Sequence, residues 1–201
     1  MLFRSASGNA GGGTVLVGGD FQGKNVEVQN ADKTYVGADA SIRADAVTSG
    51  DGGKVVVWAD ESTQFFGSLS AQGGVVSGDG GNAEISGKQF LNARIGRISL
   101  GSRNGKAGTL LLDPADIVIN GGTNDGSDTE AGNSNALVQQ NGGNAGEVLF
   151  GDTPSTFNVY ESEIEGTDAN INLQATNSIS VTGTFNVNTR SEEHTSELQS
   201  H

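Results

Sequence analysis

Residues 49–74 read SGDGGKVVVWADESTQFFGSLSAQGG, and this stretch decides the fold. Its glycines permit a tight turn, and the β-branched run at residues 55–57 that follows them favours a strand. A corner at residues 59–62 then leads to a second apolar pair, Phe65 and Phe66, before further glycines. The stretch therefore predicts one strand, a corner and another strand.

The opening of this stretch recurs along the chain. Five copies begin at Gly13, Gly53, Gly81, Gly108 and Gly146, and they read GTVLVGG, GKVVVWA, GNAEISG, GTLLLDP and GEVLFGD. Successive copies start 40, 28, 27 and 38 residues apart, a spacing typical of repeat proteins whose units lie against one another. The copies predict the coils of one solenoid.

The aligned copies also predict which way the side chains point. The first position after each glycine is polar, whereas the second and fourth are apolar; the second is Val15, Val55, Ala83, Leu110 and Val148, and the fourth is Val17, Val57, Ile85, Leu112 and Phe150. Alternation with a period of two indicates a strand with one buried face.

The third position of the copies is expected to point outward. It is occupied by Leu16, Val56, Glu84, Leu111 and Leu149. Glu84 decides the direction, because an unpaired carboxylate is not placed in a dry core.

Composition excludes several classes of chemistry. The chain has no cysteine, and its two histidines, His194 and His201, lie in the last eight residues. Residues 190–201, RSEEHTSELQSH, resemble a translated sequencing adapter, so we interpret them as a non-native tail outside the fold. Without them the chain lacks the residues of histidine-dependent triads, cysteine nucleophiles and Cys/His zinc sites. We expect no catalytic residue, no cofactor and no metal ligand.

Charge is distributed unevenly. The formal net charge is −13, and residues 107–189 contain eleven acidic side chains but no lysine or arginine. An acidic surface repels phosphate backbones, so nucleic-acid binding is not expected, and no apolar run reaches the roughly 20 residues of a membrane span. The acidic half is interpreted as a solubilising surface, with calcium binding as the alternative.

A polar loop insertion is predicted at about residues 120–146. Its acidic residues Asp125, Asp128 and Glu130 are close enough in sequence to share a cation, but their spacing matches neither an EF-hand loop nor a nonapeptide calcium repeat. The composition favours an ordinary solvated loop.

Five motifs in order resemble the filamentous haemagglutinin family of large exoproteins that Gram-negative bacteria export by two-partner secretion. They are GGDFQGKN from Gly18, YVGADASIRADA from Tyr35, the stretch at residues 49–74, GDGGNAEISGKQ from Gly78 and GKAGTLLLDPADIVI from Gly105. The resemblance is dense over residues 11–119 and thin beyond residue 120.

The resemblance implies an all-β fold, a right-handed parallel β-helix formed by residues 1–189 as a single segment. It implies an internal stalk segment of a secreted or surface-exposed adhesin, at the outer face of the bacterial cell. The partners implied for the full-length protein are an outer-membrane two-partner transporter and a host-cell or glycan receptor.

Two other functions are weighed against the adhesin stalk. One is a purely structural spacer that presents a distal toxin or binding domain. The other, ranked last, is a polysaccharide-acting enzyme, for which Asp113 with Asp116, or Asp60 with Glu61, would supply the two carboxyl groups. Aspartates at strand ends are ordinary turn residues, so no enzymatic activity is expected.

Trp58 is the candidate ligand contact. It occupies the fifth position of the repeat, where other copies carry a small or polar residue, and an exposed indole there would stack on a sugar. The remaining aromatic residues, Tyr35, Phe65, Phe66 and Phe90, are interpreted as packing residues.

Overall fold

The computed structural model describes residues 3–121, 156–183 and 197–200. Over these residues the chain folds into parallel β-sheets joined by short corners, and every pairing between two strands is parallel. The all-β class predicted from the repeats is confirmed.

The strands follow one another in passes, each of which visits three sheets in turn. Strand β1 (Phe3–Ser5) precedes a first pass of β2 (Thr14–Val17), β3 (Lys33–Val36) and β4 (Ser41–Arg43). The second pass is β5 (Lys54–Ala59), β6 (Ser62–Phe65) and β7 (Ser68–Ser70). The third pass is β8 (Asn82–Gly87), β9 (Phe90–Ala93) and β10 (Ile98–Ser99).

The rest of the described chain is less regular. It comprises β11 (Thr109–Leu112), β12 (Asp116–Asn120), β13 (Phe157–Tyr160), the short helix α1 (Glu161–Gly166), β14 (Asn170–Ala175), β15 (Ser178–Thr182) and β16 (Glu197–Ser200). Two short 3₁₀ turns complete the elements, at Phe21–Gly23 and Ile95–Arg97.

Four sheets result from these pairings. The first sheet has the order β2-β5-β8-β11-β14-β16, the second β3-β6-β9, the third β1-β4-β7-β10, and the fourth β13-β12-β15. In the first sheet Thr14 pairs with Lys54, Lys54 with Asn82, and Asn82 with Thr109, as the aligned copies predict. Asn170 continues this row beside Thr109, whereas the fifth copy, from Gly146, lies outside the described residues.

The inward direction of the second and fourth columns is confirmed for the four copies that the structure describes. The core contains Val55, Val57, Ala83, Ile85, Leu110 and Leu112 from the first sheet, all of them buried. Phe65 and Leu91 of the second sheet and Leu69 of the third pack into the same core. Each pass therefore adds a thin layer of aliphatic and aromatic side chains instead of enlarging one globular centre.

The third column departs from expectation. Leu16 is 37% exposed, but Glu84 is only 1% exposed, and Val56 and Leu111 are buried as well. None of the four belongs to the core cluster, because they lie on the opposite face of the first sheet. Residues 18–32, called the strap below, lie over the part of this outer face that holds Val56, Glu84 and Leu111.

The corners between passes bring backbones very close together. The amide of Lys54 donates to Gly13 O at 3.0 Å, and that of Asn82 donates to Gly53 O at 3.0 Å. A Cβ atom on Gly53 would lie 2.0 Å from Gly13 O, and one on Gly81 would lie 2.2 Å from Gly53 O. No side chain fits at these corners, which explains the glycine that opens the copies at Gly53 and Gly81, and the same holds at Gly108, where a Cβ atom would lie 1.9 Å from Gly81 O.

Two predicted segments are described only in part. The predicted insertion at residues 120–146 falls almost wholly outside the described residues, as do Asp125, Asp128 and Glu130. The predicted non-native tail includes β16, whose backbone pairs with residues 172–175 at the edge of the first sheet. Because an open sheet edge accepts any extended chain, this pairing does not test the origin of the tail.

No helix among the described residues has the length and apolar character to cross a membrane.

Changing one residue on each face of the first sheet should separate core from outer positions. Val57→Asp puts a carboxylate into the core and should lower the free energy of unfolding by about 3 kcal/mol or more. Leu16→Asp, on the outer face and partly exposed, should cost less than about 1 kcal/mol. Urea denaturation measures both, and equal losses would show that the two faces are assigned wrongly.

Candidate functional site

The strap is a polar loop that leaves the first sheet after β2 and returns before β3. Its two ends are joined by a hydrogen bond from Ala31 N to Gly18 O at 2.6 Å. Ala31 O accepts from Asp60 N at 2.9 Å, which ties the strap to the following pass. Its tip is the 3₁₀ turn Phe21–Gly23, which lies against the sheet.

Asp20 anchors the tip of the strap. Its carboxylate accepts from Lys54 Nζ at 2.7 Å, from Phe21 N at 2.7 Å and from Asn25 Nδ2 at 2.8 Å. The hydrogen bonds from Asn25 and Lys54 hold the pKa of Asp20 well below its usual range. Lys54 Nζ also lies 5.6 Å from the centre of the Phe21 ring, so the ammonium group interacts with both Asp20 and Phe21 of the strap.

Gln22 and Glu84 form the central contact between strap and sheet. Gln22 N donates to both carboxylate oxygens of Glu84, at 3.2 and 3.0 Å. Gln22 has φ 54°, a left-handed conformation that costs a residue with a Cβ atom on the order of 1 kcal/mol. Burial raises the pKa of Glu84 to about 7, although the Gln22 amide acts in the opposite direction.

The side chain of Gln22 extends the contact across further strands. Its Nε2 lies 3.4 Å from Asp113 Oδ2 and 3.5 Å from Gln174 Oε1, and its Oε1 accepts from Lys24 Nζ at 2.7 Å. The strap therefore reaches from β5 across β8 and β11 to β14.

Trp58 lies beneath the strap and is only 4% exposed. Its Nε1 donates to Asp60 Oδ1 at 3.1 Å, and a Cβ atom on Gly19 would lie 2.6 Å from Trp58 Cδ1. The expectation of an exposed indole is wrong, because the strap covers the ring that a sugar would need to reach. A ligand contact at Trp58 stays an untested prediction, and the geometry does not favour it.

The other aromatic residues divide into two groups. Phe65 and Phe66 are buried, as the packing interpretation predicts, and Phe90 is half-buried. Tyr35 is 52% exposed, and its ring centre lies 6.1 Å from that of Phe66 at the outside of the second sheet.

Three of the carboxylates considered for catalysis, Asp60, Glu61 and Asp116, hold corners of neighbouring passes together. Asp116 accepts from Asn177 Nδ2 at 3.2 Å and from Ser178 Oγ at 2.7 Å. Asp60 accepts from Trp58 and from Asn30 Nδ2 at 3.0 Å, and Glu61 pairs with Lys33 Nζ at 3.5 Å. These bonds stabilise corners, which agrees with the turn interpretation of these residues.

A cavity of about 560 Å³ lies between the strap and the outer face of the first sheet. Its lining combines apolar and polar side chains, among them Phe21, Lys54, Val56, Glu84, Leu111 and Asn172. Over the described part of the chain, no group of three or more His, Cys, Asp or Glu side chains is placed to hold a metal ion.

No protein-family model matches the sequence, and comparison with curated proteins gives no match either. The resemblance to the filamentous haemagglutinin family therefore stays a prediction.

Sequence reasoning identified Glu84 as unusual but did not find its site. Gln22 is 62 residues away in the chain, and its backbone amide, not its side chain, is the group that binds the carboxylate. The only available signal was the motif GGDFQGKN, whose short polar residues indicated a departure from the strand pattern.

The single tryptophan can report whether the strap is closed. Gly19→Ala should push the strap away from Trp58, because the added methyl group collides with the indole. We expect a red-shifted emission and several-fold stronger quenching by acrylamide. Gly96→Ala is the matched control, since no atom outside its own helical turn lies within 4 Å of the added methyl group. Equal quenching in both variants would contradict the placement of the strap.

Stability should depend on pH through Glu84. Its pKa in the folded protein, about 7, lies above its ordinary value of 4.5, so the folded state binds more protons between these values. The free energy of unfolding should therefore fall as pH rises from about 4.5 to about 7, by up to about 3 kcal/mol, and fall no further above that range.

Glu84→Gln should abolish this component, whereas Glu27→Gln, an exposed change of the same charge on the strap, should leave it intact. Denaturant titrations across this pH range measure the effect. If the free energy of unfolding changes equally with pH in the natural protein and in Glu84→Gln, the pH dependence does not come from Glu84.

Proposed function

We propose that the chain is a stalk segment of a large secreted or surface-exposed bacterial adhesin exported by two-partner secretion, folded as a right-handed parallel β-helix. One observation carries the proposal: three successive passes each supply one strand to the same three parallel sheets, and in the first sheet the register stays constant. In a β-helix each pass is one coil. The right-handed sense follows from the strong preference of parallel crossovers for that hand.

An arrangement of this kind grows in one dimension. Each pass contacts mainly its neighbours, and each adds one strand spacing of about 4.8 Å to the length. Among the described residues, β2 and β3 stand at the edges of their sheets, where further passes can pair with them. Length and stiffness are the properties that a stalk needs.

The burial of Trp58 favours a spacing role for this segment over direct adhesion. The most constant positions of the repeat build the core, while the outer positions vary in charge and size from copy to copy. Within the full-length protein, the proposed partners are an outer-membrane two-partner transporter and a host-cell or glycan receptor. The alternative, a purely structural spacer that presents a distal toxin or binding domain, uses the same architecture.

A polysaccharide-acting enzyme ranks last. Its best support is the buried Glu84 in a cavity, because a carboxyl group with a pKa near neutrality is suited to acid catalysis. Asp60, Glu61 and Asp116 are bonded at corners, and Asp113 contacts the Gln22 side chain of the strap. We expect no turnover of polysaccharides.

Removing one complete pass from the parent protein should preserve adhesion. Deletion of residues 82–108 joins Gly81 to Thr109 and keeps the remaining strands of the first sheet in register, because Asn82 and Thr109 occupy equivalent positions there. Cell-binding assays should then show unchanged attachment, with a stalk shorter by about 5 Å.

Deletion of residues 82–95 is the control, since it removes part of a pass and breaks the register. It should reduce both export and attachment. The proposal fails if the two deletions abolish attachment alike, or if the chain alone binds host glycans saturably.

A further inference from the structure

We propose that the cavity beneath the strap is a binding site for a small aliphatic amine, whose ammonium group pairs with the carboxylate of Glu84. This site is separate from the stalk role, because a spacer does not require it and would keep its length without it.

The dimensions and walls of the cavity suit a short alkyl chain. Its volume of about 560 Å³ lies within the range of roughly 300–1,000 Å³ that is common for small-molecule sites. Val56 and Leu111 supply apolar wall, and Phe21 adds an aromatic ring from the strap. Methylene groups of a ligand would be removed from water against these side chains.

Two acceptors in the lining, the carboxylate of Glu84 and the amide oxygen of Asn172, have capacity for further hydrogen bonds. The carboxylate of Glu84 has about four acceptor sites, and the Gln22 amide and the nearby Ser86 hydroxyl fill at most some of them. Asn172 Oδ1 is buried and has no hydrogen-bond partner. A ligand that brings N–H donors would satisfy both groups.

The separation of these two acceptors defines the ligand further. Glu84 on β8 and Asn172 on β14 occupy the same outward column, with Leu111 of β11 between them. Two strand spacings place their backbones about 10 Å apart. A ligand with an ammonium group at one end, a second donor at the other and an apolar middle matches this order.

The electrostatics favour a cation. The charged groups that face Glu84 are Lys54 from β5 and Asp113 from the corner after β11. Lys54 is paired with Asp20 at 2.7 Å, and Asp113 adds negative potential that raises the pKa of Glu84 further, after the larger effect of burial. A bound ammonium group would offset the cost of the buried carboxylate.

The nature of the cation also follows from the residues. Calcium and magnesium take six or more oxygen ligands, and zinc usually takes four ligands drawn largely from cysteine and histidine. The described residues hold no cluster of three or more His, Cys, Asp or Glu side chains that could supply either set. The apolar walls would contribute nothing to a metal ion but would contact the carbon chain of an amine.

The test is calorimetric titration of the full chain with 1,5-diaminopentane at a pH of about 8. We expect one saturable site whose affinity falls on the order of 100-fold at a pH of about 5, where only about 1% of Glu84 is ionised. Glu84→Gln should weaken binding at least about tenfold, and the matched control Glu27→Gln should not change it.

A second variant keeps the test informative if Glu84→Gln alters folding. Asn172→Ala should weaken binding of 1,5-diaminopentane but leave that of pentylamine, which lacks the second donor, unchanged. The proposal is overturned if the natural protein gives no saturable heat with the diamine, if Glu84→Gln binds it undiminished, or if a methyl glycoside binds and Glu84→Gln retains that binding.

Discussion

Successive passes of the chain meet through their backbones at the glycine corners, and the parallel sheets depend on that approach. Gly53 N donates to Ala44 O and Gly81 N to Ala71 O, both at 2.7 Å, so each corner joins the end of the third sheet to the start of the first. The next residue then donates to the glycine of the preceding pass. A Cβ atom at Gly81 would meet backbone atoms, which neighbouring passes cannot move without breaking these bonds.

Because the core is thin, the stability of the fold also depends on the outer face of the first sheet. A layer with few inward side chains buries little apolar area, so additional burial on the outer face stabilises the fold. The strap provides it by covering Val56 and Trp58. The same cover removes Glu84 from water, which costs free energy that the Gln22 amide only partly offsets. The strap therefore combines a stabilising apolar contact with a destabilising buried carboxylate.

The sequence predicted the strands of the first sheet well because apolar and polar residues alternate regularly along them. The glycines before these strands also recur, because the neighbouring backbone leaves no room for a side chain there. It did not predict β7, since Leu69 is the only apolar residue of that short strand. It correctly placed Val56 and Glu84 on the face opposite the core, but not their burial, because no local pattern shows where a distant loop will lie. The candidate site depends on Gln22 adopting a left-handed conformation, which its residue type does not favour.

The most direct test of the account measures distances along the first sheet. The chain has no cysteine, so spin labels can be placed on cysteines introduced at Thr14, Asn82 and Thr109, which lie in one row of that sheet. Electron paramagnetic resonance should give a distance between positions 14 and 109 that exceeds the distance between positions 14 and 82 by one strand spacing, about 5 Å. Two equal distances, or a difference several times larger, would contradict the parallel, in-register passes on which the account rests.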